Sequence, residues 1–290
     1  MKFILGMVLG ALLAMADGAS REAADQPAGS IRVVSCNLRG ALIDDGPDSW
    51  EYRKESCLEI LKEIDADIMC FQELQTPNRE ALEEAFPDYC FFGALDRPAG
   101  GHPMNGILYR RSAFKLLGSG GYALSDHPHL SGSIDWNHSC PRFVNYLILE
   151  EKTTGRRFRI VNTHLDHESQ IAREKGAALI NEESAVYDPA MPQILAGDMN
   201  CMVSNPAVRA LLAASWQDSF FLATGQEEPG RTFHAFQGRE CTVDSFPGKI
   251  DFILVRGALE VTGAEIVDRV GKNGRYPSDH FFVEAVVRFR

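Results

Sequence analysis

The chain alternates short apolar runs with longer segments in which apolar residues recur at helical spacing. The short runs, rich in Val, Ile and Phe, predict buried strands, and the longer segments predict amphipathic helices. Strands are expected at 31–37, 67–72, 89–92, 107–110, 143–149, 158–165, 193–196, 250–255, 259–267 and 281–289. Helices are expected at 53–64, 79–86, 170–187 and 206–214.

Many short strands interleaved with a few helices predict an α/β or α+β protein rather than a helical bundle. The expected strands are apolar on at least one face. Two sheets packed face to face, with the helices outside, would bury this many apolar strands. No linker rich in Pro, Gly or Ser and no internal repeat divides residues 31–290, so we expect one domain there.

Residues 1–16 have the pattern of a secretory signal peptide. A basic Met1-Lys2 start is followed by an apolar run at 3–13 that is too short to span a bilayer, and then by the small-x-small site Ala14-Met15-Ala16. A retained membrane anchor or an ordinary apolar N-terminus is the alternative. We predict cleavage after Ala16, a flexible lead-in over 17–30, and a secreted or periplasmic protein without stable membrane insertion after cleavage.

The charge balance is acidic. The chain has 29 basic and 40 acidic residues, a net charge of −11, which becomes −12 once residues 1–16 and their single lysine are removed. Non-specific binding of polyanions needs clustered Lys and Arg, so an enzyme that tracks along DNA is disfavoured, although a bound divalent cation can reverse the local field. The seven cysteines form no Cys-x-x-Cys pair, which leaves a zinc site without support.

Polar clusters stand where five of the expected strands end or begin. They are Ser35-Cys36-Asn37, Gln72-Glu73, Asn162-Thr163-His164, Gly197-Asp198-Met199-Asn200 and Ser278-Asp279-His280. Strand ends hold side chains in fixed geometry and leave them open to substrate. Carboxylates and carboxamides suit Mg²⁺ or Mn²⁺, and histidines beside acids suit proton transfer and anion stabilisation. The combination predicts a metal-assisted phosphoester hydrolase.

The Gly197 to Asn200 cluster places two polar side chains two residues apart. This spacing puts Asp198 and Asn200 on the same side of an extended segment. Asp198 can bind a metal ion or polarise the attacking water, and Asn200 can donate to a phosphate oxygen. A plain turn is the alternative interpretation, since Gly, Asp and Asn are all turn formers.

Two histidines are candidate catalytic groups. His280 follows Asp279, which can fix its tautomer and stabilise the imidazolium or can instead ligate a metal ion, and the sequence leaves both roles open. Asp251 is a candidate to orient a histidine or a metal-bound water. His164 would stabilise charge that grows on a non-bridging phosphate oxygen in the transition state, with a structural role as the alternative.

Glu73 is the strongest candidate metal ligand, because a carboxylate at the end of an apolar strand is costly unless it is paired or metal-bound. Asn37 holds the matching position after the first strand and is a candidate to hold a metal-bound water or phosphate; a cap or turn is the alternative. Arg39 and Arg142 are candidate phosphate clamps, because guanidinium matches phosphate bidentately. A surface salt bridge is the alternative for each arginine.

In this order and spacing the clusters resemble the endonuclease/exonuclease/phosphatase superfamily, also called the DNase I-like fold. The matching motifs are the strand ending in Asn37, Gln72-Glu73, Asn162-Thr163-His164, Gly197-Asp198-Met199-Asn200, Lys249-Ile250-Asp251 and Ser278-Asp279-His280. Further matches at 162–167, Trp136, Arg142 and 276–280 resemble an exported bacterial branch that is loosely grouped with carbon-catabolite-repressor-type deadenylases. The chain departs from that branch at 102–105, where the branch carries a Gly-Glu pair.

The resemblance implies a four-layered α/β/β/α sandwich and Mg²⁺-dependent hydrolysis of phosphoesters, with Mn²⁺ as the alternative ion. It also implies a role for each matching residue. Asn37, Glu73 and Asp279 become metal-site residues, Asp198 and Asn200 the water-activating and phosphate-binding pair, His164 the phosphate-stabilising histidine, Asp279-His280 the paired acid and catalytic histidine, and Asp251 the orienting or metal-linked acid.

Three substrate classes remain open. A small phosphorylated molecule, such as a sugar phosphate or nucleotide, fits the acidic charge best. A nuclease, including a 3′–5′ exonuclease on RNA, lacks an evident basic track, and a phospholipid head-group hydrolase lacks an amphipathic membrane-binding helix. The rival from another class is a non-catalytic protein that binds a phosphorylated ligand on the same scaffold. The sequence indicates no protein partner.

Overall fold

The computed structural model describes residues 29–94 and 101–290, so the predicted signal peptide and the lead-in up to residue 28 lie outside the described residues. The first strand begins at Ser30, one residue before the predicted domain boundary. Within the described ranges, no helix combines the length and the apolar character that crossing a membrane requires.

Strands and helices alternate along the described part of the chain. The strands are β1 (Ser30–Asn37), β2 (Ile68–Leu74), β3 (Tyr89–Phe92), β4 (Met104–Arg110), β5 (Phe114–Ala123), β6 (Phe143–Glu151), β7 (Arg157–His164), β8 (Gln193–Asp198), β9 (Gln217–Asp218), β10 (Asp251–Arg256), β11 (Leu259–Val267) and β12 (Phe282–Phe289). The α-helices are α1 (Trp50–Ile64), α2 (Thr76–Ala85), α3 (Gln170–Ala185), α4 (Pro206–Ala213) and α5 (Ser219–Thr224).

The strands form two six-stranded sheets, in the orders β11-β12-β1-β2-β4-β3 (the first sheet) and β5-β6-β7-β8-β10-β9 (the second sheet). Apolar side chains from both sheets meet in one core, where Ile31 and Ile68 pack with Ile160 and Ile253. Helices α1 and α2 cover the outer face of the first sheet, and α3 and α4 cover that of the second. The four-layered α/β/β/α sandwich predicted from the sequence is confirmed.

Strand pairing brings the polar clusters to one edge of the sandwich, called here the site edge. Strand β1 runs parallel to β2, and β7 runs parallel to β8, so the strands that end at Asn37, Glu73, His164 and Asp198 finish in pairs on the same side. Strand β10 is antiparallel to β8, and the register places Asp251 opposite Asp198. Sequence-distant side chains therefore meet where these strands terminate.

Strands β5 and β9 and helix α5 are not among the expected elements, and the predicted ends of the other strands and α-helices differ from the observed ones by up to three residues. Strand β5 contains Gly118, Gly120 and Gly121, and glycine weakens the local preference for a strand. Pairing with β6 along its length supplies the missing stabilisation. At Gly120 and Gly121 a Cβ atom would meet Tyr146 and Asn145 of β6, so close strand approach requires glycine.

A buried ion pair joins β9 to the segment before β10. Lys249 is 1% exposed, and its Nζ lies 2.5 Å from Asp218 Oδ2. The other carboxylate oxygen of Asp218 accepts a hydrogen bond from the Phe220 backbone N–H at the start of α5. Burial lowers the pKa of Lys249, and Asp218 only partly opposes that shift. Asp218 is therefore the main group that stabilises the buried charge of Lys249.

Asp218→Asn is expected to lower the free energy of unfolding by about 3 kcal/mol or more, because removing one partner leaves a buried charge uncompensated. Asparagine keeps the size of the side chain and its cap on α5, so the loss of stability reports the missing charge. Urea denaturation of both proteins measures it. The matched control is Glu150→Gln, which breaks an ion pair with the exposed Arg157 and should cost less than about 1 kcal/mol. Equal losses in the two variants would contradict the prediction.

Candidate active site

Asp198, at the end of β8, lies at the centre of the site edge. Its side chain is 1% exposed, and Oδ2 lies 3.0 Å from Asn37 Nδ2, 3.3 Å from His164 Nε2 and 3.9 Å from His280 Nε2. Its Oδ1 accepts the backbone N–H of Asn200 at 2.8 Å. Burial raises the pKa of Asp198, but the two histidines outweigh it and hold the pKa well below its usual range. Asp198 is therefore an ionised carboxylate.

Glu73 lies beside Asp198 on the first sheet. Asn37 Nδ2 donates to Glu73 Oε1 at 3.0 Å as well as to Asp198, and the Gly40 backbone N–H donates to Oε2 at 3.0 Å. Burial raises the pKa of Glu73. His164 and these hydrogen bonds lower the pKa by more than burial raises it, so the net shift is downward. The Glu73 backbone has a φ of 53°, a strained value for this residue type that is typical of functional sites.

The imidazole of His280 is hydrogen-bonded to the first residue of β10. Its Nδ1 lies 2.9 Å from Asp251 Oδ2, which decides between the two acids that the sequence offered: Asp251, not the adjacent Asp279, orients the ring. Burial lowers the pKa of His280, but Asp251, Asp279 and Asp198 outweigh it and raise the pKa to about 10. The ring of Phe233 packs edge-on against the imidazole, with the centroids 5.1 Å apart. The imidazole is thus held in place and is in its protonated, positively charged form.

Asp279 points away from the imidazole of His280 towards Arg39, with 3.8 Å between Oδ2 and the arginine Nε. Burial raises the pKa of Asp279, and the charge of Glu73 raises it further, which outweighs the opposing effect of His280 and Arg39. The half-buried carboxylate of Glu73 and the buried carboxylate of Asp279 therefore influence one another. Such a pair is stabilised by a bound cation.

His164 and Asn200 face each other across the ends of β7 and β8. Asn200 Nδ2 lies 2.8 Å from His164 Nε2 and 3.0 Å from the Leu165 carbonyl oxygen. Asn200 has a left-handed φ of 49°, which Asn tolerates better than most residues. Gly197 allows β8 to approach β7, since a Cβ there would clash with the Thr163 carbonyl. This backbone geometry presents two hydrogen-bonding side chains, His164 and Asn200, beside Asp198.

The two candidate phosphate clamps have different surroundings. Arg39 is half-buried at the site edge, where its Nε and Nη2 donate to both oxygens of Asp45 at 3.0 and 2.9 Å. Arg142 is buried in the segment that leads into β6, where its Nη2 lies 3.0 Å from His167 Nδ1 and its Nε lies 3.9 Å from Asp166. Arg39 thus borders Asp279, whereas Arg142 belongs to a neighbouring cluster.

Arg53, on α1, is a site residue that the sequence analysis missed. It is fully buried, and its guanidinium donates to the carbonyl oxygens of Leu38, Arg39 and Pro277 at 2.7 to 2.8 Å. These bonds join the loop after β1 to the loop that carries Asp279. The available signal was its position on the apolar stripe of the helix, in register with buried residues such as Cys57 and Ile64.

Two polar residues of the predicted clusters have structural contacts instead. Gln72 Nε2 donates to Asn162 Oδ1 at 2.7 Å, and Asn162 Nδ2 donates to the carbonyl oxygens of Phe71 and Gly106 at 2.8 and 2.9 Å. All of these groups are buried between the two sheets. They connect the sheets two residues before His164 and so hold β2 and β7 in a fixed relation.

Two sets of side chains at the site edge carry donor groups that suit a hard divalent cation. Glu73 and Asp279 offer carboxylate oxygens, which Mg²⁺ and Mn²⁺ prefer, whereas the predicted ligand Asn37 turns its Nδ2 towards Glu73 and Asp198 while its Oδ1 accepts the Arg39 backbone N–H. One ligand atom each from Asp198, Asp251 and His280 also lies within 4.8 Å of the others. His280 already uses Nδ1 for its hydrogen bond to Asp251, so the oxygen-rich position fits better. Among the described residues, buried Asp251 Oδ1 has no hydrogen-bond partner and remains available to a metal-bound water.

Comparison with known proteins gives a consistent picture. The family model described as Endonuclease/Exonuclease/phosphatase family matches residues 34–280, most of the chain. A crystal structure of a mannosyl-6-phosphatase from Bacteroides thetaiotaomicron has 27% sequence identity and a TM-score of 0.78, and the match covers 89% of this chain and 100% of that one.

Two curated relatives match over part of their own length. Human Nocturnin is 24% identical over 284 residues, which cover 86% of this chain and 63% of Nocturnin. The CCR4-Not complex 3′-5′-exoribonuclease subunit Ccr4 of Kluyveromyces lactis is 23% identical over 297 residues, which cover 83% of this chain and 37% of Ccr4. The chain therefore spans less than two thirds of the length of either relative.

Proposed function

The chain belongs to the endonuclease/exonuclease/phosphatase family, and from this premise we propose that it is an exported Mg²⁺-dependent phosphoesterase that acts on small phosphate esters. Family membership makes the chain a hydrolase of phosphate esters that uses a divalent metal ion. The finer parts of the proposal are the identity of the ion, the size of the substrate and the export.

One observation carries the proposal. Asn37, His164 and His280, which come from three different strands or loops, converge on the ionised carboxylate of Asp198. A phosphoryl group placed there would meet hydrogen-bond donors on several sides and a base on another. Preorganised donors of this kind stabilise charge as it develops and do not need to reorganise during the reaction.

Each side chain then has a defined task. Glu73, which accepts a hydrogen bond from Asn37, and Asp279 would hold Mg²⁺, and the ion would supply positive charge that polarises the phosphoryl oxygens and offsets charge on the leaving oxygen. Asp198 accepts the proton of the attacking water. His164 and Asn200 orient the non-bridging oxygens of the phosphate.

His280 has the task of a proton and charge donor. Its hydrogen bond to Asp251 fixes the ring so that Nε2 faces Asp198, at 3.9 Å, and the space where the phosphate binds. A protonated imidazole in this position donates to a phosphate oxygen and stabilises its charge. Because His280 already holds its proton, Asp198 suits the role of base better.

Several features support a small substrate. The net charge is −11, and the arginines beside the site are engaged: Arg39 with Asp45, and Arg53 with backbone carbonyls. A polynucleotide would need free basic groups along its path. The mannosyl-6-phosphatase, a structural neighbour over its full length, acts on a small sugar phosphate according to its description.

A nuclease is the second candidate function, favoured by the likeness to the exoribonuclease subunit. A non-catalytic phospholigand-binding protein is the third, and the complete set of predicted polar residues around Asp198 argues against it. Activity measurements separate all three.

The first experiment is release of phosphate or nucleotide by purified protein that begins at Asp17. The substrates are a sugar phosphate, a nucleotide, short single-stranded RNA, duplex DNA and a choline phospholipid, each with Mg²⁺ or EDTA. We expect Mg²⁺-dependent release from the small esters only, and its loss in His280→Ala. Cleavage of RNA or DNA under the same controls would establish the nuclease instead. Ligand binding with no turnover of any substrate would support the non-catalytic protein.

Export has a separate test. The gene is expressed with residues 1–16 in a Gram-negative host, and the N-terminus of the protein is determined after cell fractionation. We expect an extracytoplasmic protein that begins at Asp17, because cleavage should follow Ala16. An uncleaved chain in the membrane fraction would support the retained anchor.

A further inference from the structure

A cavity of about 220 Å³ lies at the end of the second sheet where β5 finishes and β6 begins. Val144 in its wall pairs with Thr163, the residue before His164. Adjacent strands are about 4.8 Å apart, so the cavity is one strand away from the phosphate-binding groups. A substrate whose phosphate sits near Asp198 has this cavity within reach of its alcohol part.

Arg142 and Asn145 in the cavity wall each have an unsatisfied polar atom, as does the Tyr122 hydroxyl. Arg142 and Asn145 are 7% and 0% exposed. Asn145 Nδ2 donates to the Asn105 carbonyl oxygen, but among the described residues Asn145 Oδ1 and Arg142 Nε have no hydrogen-bond partner. Asp166 does not satisfy Nε, which lies 3.9 Å away. Buried polar atoms without partners are costly, so a native cavity that keeps them in its wall calls for a ligand.

The hydrogen-bonding needs of Arg142 Nε and Asn145 Oδ1 limit the chemistry of the ligand. Arg142 Nε is a donor and needs an acceptor, whereas Asn145 Oδ1 is an acceptor and needs a donor. A phosphate or sulfate offers acceptors only, but a hydroxyl group offers both. Arg142 is the only lysine or arginine among the described residues that line the cavity, and Asp166 offsets its charge. The wall therefore favours a neutral, hydroxylated molecule over a second anion.

The size of the cavity limits the ligand further. Pockets for drug-sized ligands measure about 300–1,000 Å³, so 220 Å³ suits a molecule of about one ring. His129 and Ser131 stand exposed at the rim, where they add further hydrogen-bonding groups. We propose that this cavity binds the hydroxylated ring of a carbohydrate phosphate and thereby selects sugar esters, an inference that rests on the proposed phosphoesterase function.

Binding of free hexoses tests the cavity without catalysis. Glucose, mannose and galactose, without phosphate, are added to the protein in EDTA, and saturation-transfer NMR detects contact. We expect at least one hexose to bind, with a Kd of about 1 mM, a value that a few hydrogen bonds can supply. Ser131→Trp places a bulky ring at the exposed rim, and Arg142→Gln removes the unsatisfied donor. Each is expected to raise the Kd at least about 10-fold, whereas Arg157→Gln, exposed at the other end of β7, should not change it.

Turnover separates this inference from the proposed function. If a hexose binds but no phosphate ester is hydrolysed, the phosphoesterase fails and the carbohydrate cavity stands. If sugar phosphates are hydrolysed with the same KM by Ser131→Trp and the wild type, the cavity inference is overturned and the phosphoesterase stands. Absence of hexose binding to the wild type, or binding that inorganic phosphate abolishes in EDTA, also overturns it. Thermal unfolding of both variants confirms that they are folded.

Discussion

Asp198→Asn is expected to lower kcat on the hydrolysed ester by at least about 10²-fold, the usual scale for removing one group that transfers a proton or stabilises charge. The replacement keeps the size of the side chain and an oxygen that accepts the Asn200 backbone N–H. It removes the negative charge that both His164 and His280 face, and an amide cannot accept a proton from water. Steady-state kinetics under saturating Mg²⁺ measures the effect.

The control for this variant is Asp188→Asn, an exposed aspartate in the turn before β8, at the opposite end of that strand from Asp198. It makes the same chemical change and should leave kcat unaltered. If Asp198→Asn retains more than a tenth of wild-type kcat, Asp198 is not the base. The Asp251–His280 pair is then the remaining candidate, and Asp251→Asn becomes the decisive variant.

Glu73→Gln is expected to weaken Mg²⁺ binding and to lower turnover at a fixed Mg²⁺ concentration by at least about 10²-fold. The charges of half-buried Glu73 and buried Asp279 act on one another, so loss of one charge removes much of the attraction for a cation. Titration of activity with Mg²⁺, and calorimetric titration with Mn²⁺, distinguish lost affinity from lost chemistry. Excess Mg²⁺ should restore part of the activity.

The control for Glu73→Gln is Glu83→Gln, on the exposed side of α2, whose carboxylate pairs with Arg79 one helical turn earlier. An unchanged Mg²⁺ dependence in Glu73→Gln would place the ion elsewhere. The cluster of Asp198, Asp251 and His280, with ligand atoms within 4.8 Å, would then be the site. Loss of metal binding in Asp251→Asn, with Glu73→Gln unaffected, would establish that position.

Much of the fold and of the candidate site could be predicted because the signals are local. Buried strands require apolar residues along their length, and the polar residue that interrupts the pattern marks the strand end. The family resemblance drawn from these strand ends is confirmed by the match to residues 34–280. Asn37, Glu73, His164 and Asp198, which follow or finish four such runs, lie together in the structure. Their chemical roles remain predictions.

Other features could not be predicted because they depend on contacts between distant parts of the chain. The choice of Asp251 over the adjacent Asp279 as the partner of His280 depends on where β10 brings its first residue, 29 positions away in sequence. The same holds for Arg53, which contacts Pro277 across 224 positions. Strand β5, rich in glycine, forms because β6 is available for pairing.

The sequence by itself determined most of the strands, the family and the types of side chain at the site edge, because burial and strand periodicity act over a few residues. Only the tertiary structure decided which acid holds His280, the left-handed backbone at Glu73 and Asn200, and the position of Arg142 in a neighbouring cavity. Those features arise from the pairing and packing of two sheets, which fix distances and charges between residues that no local pattern relates.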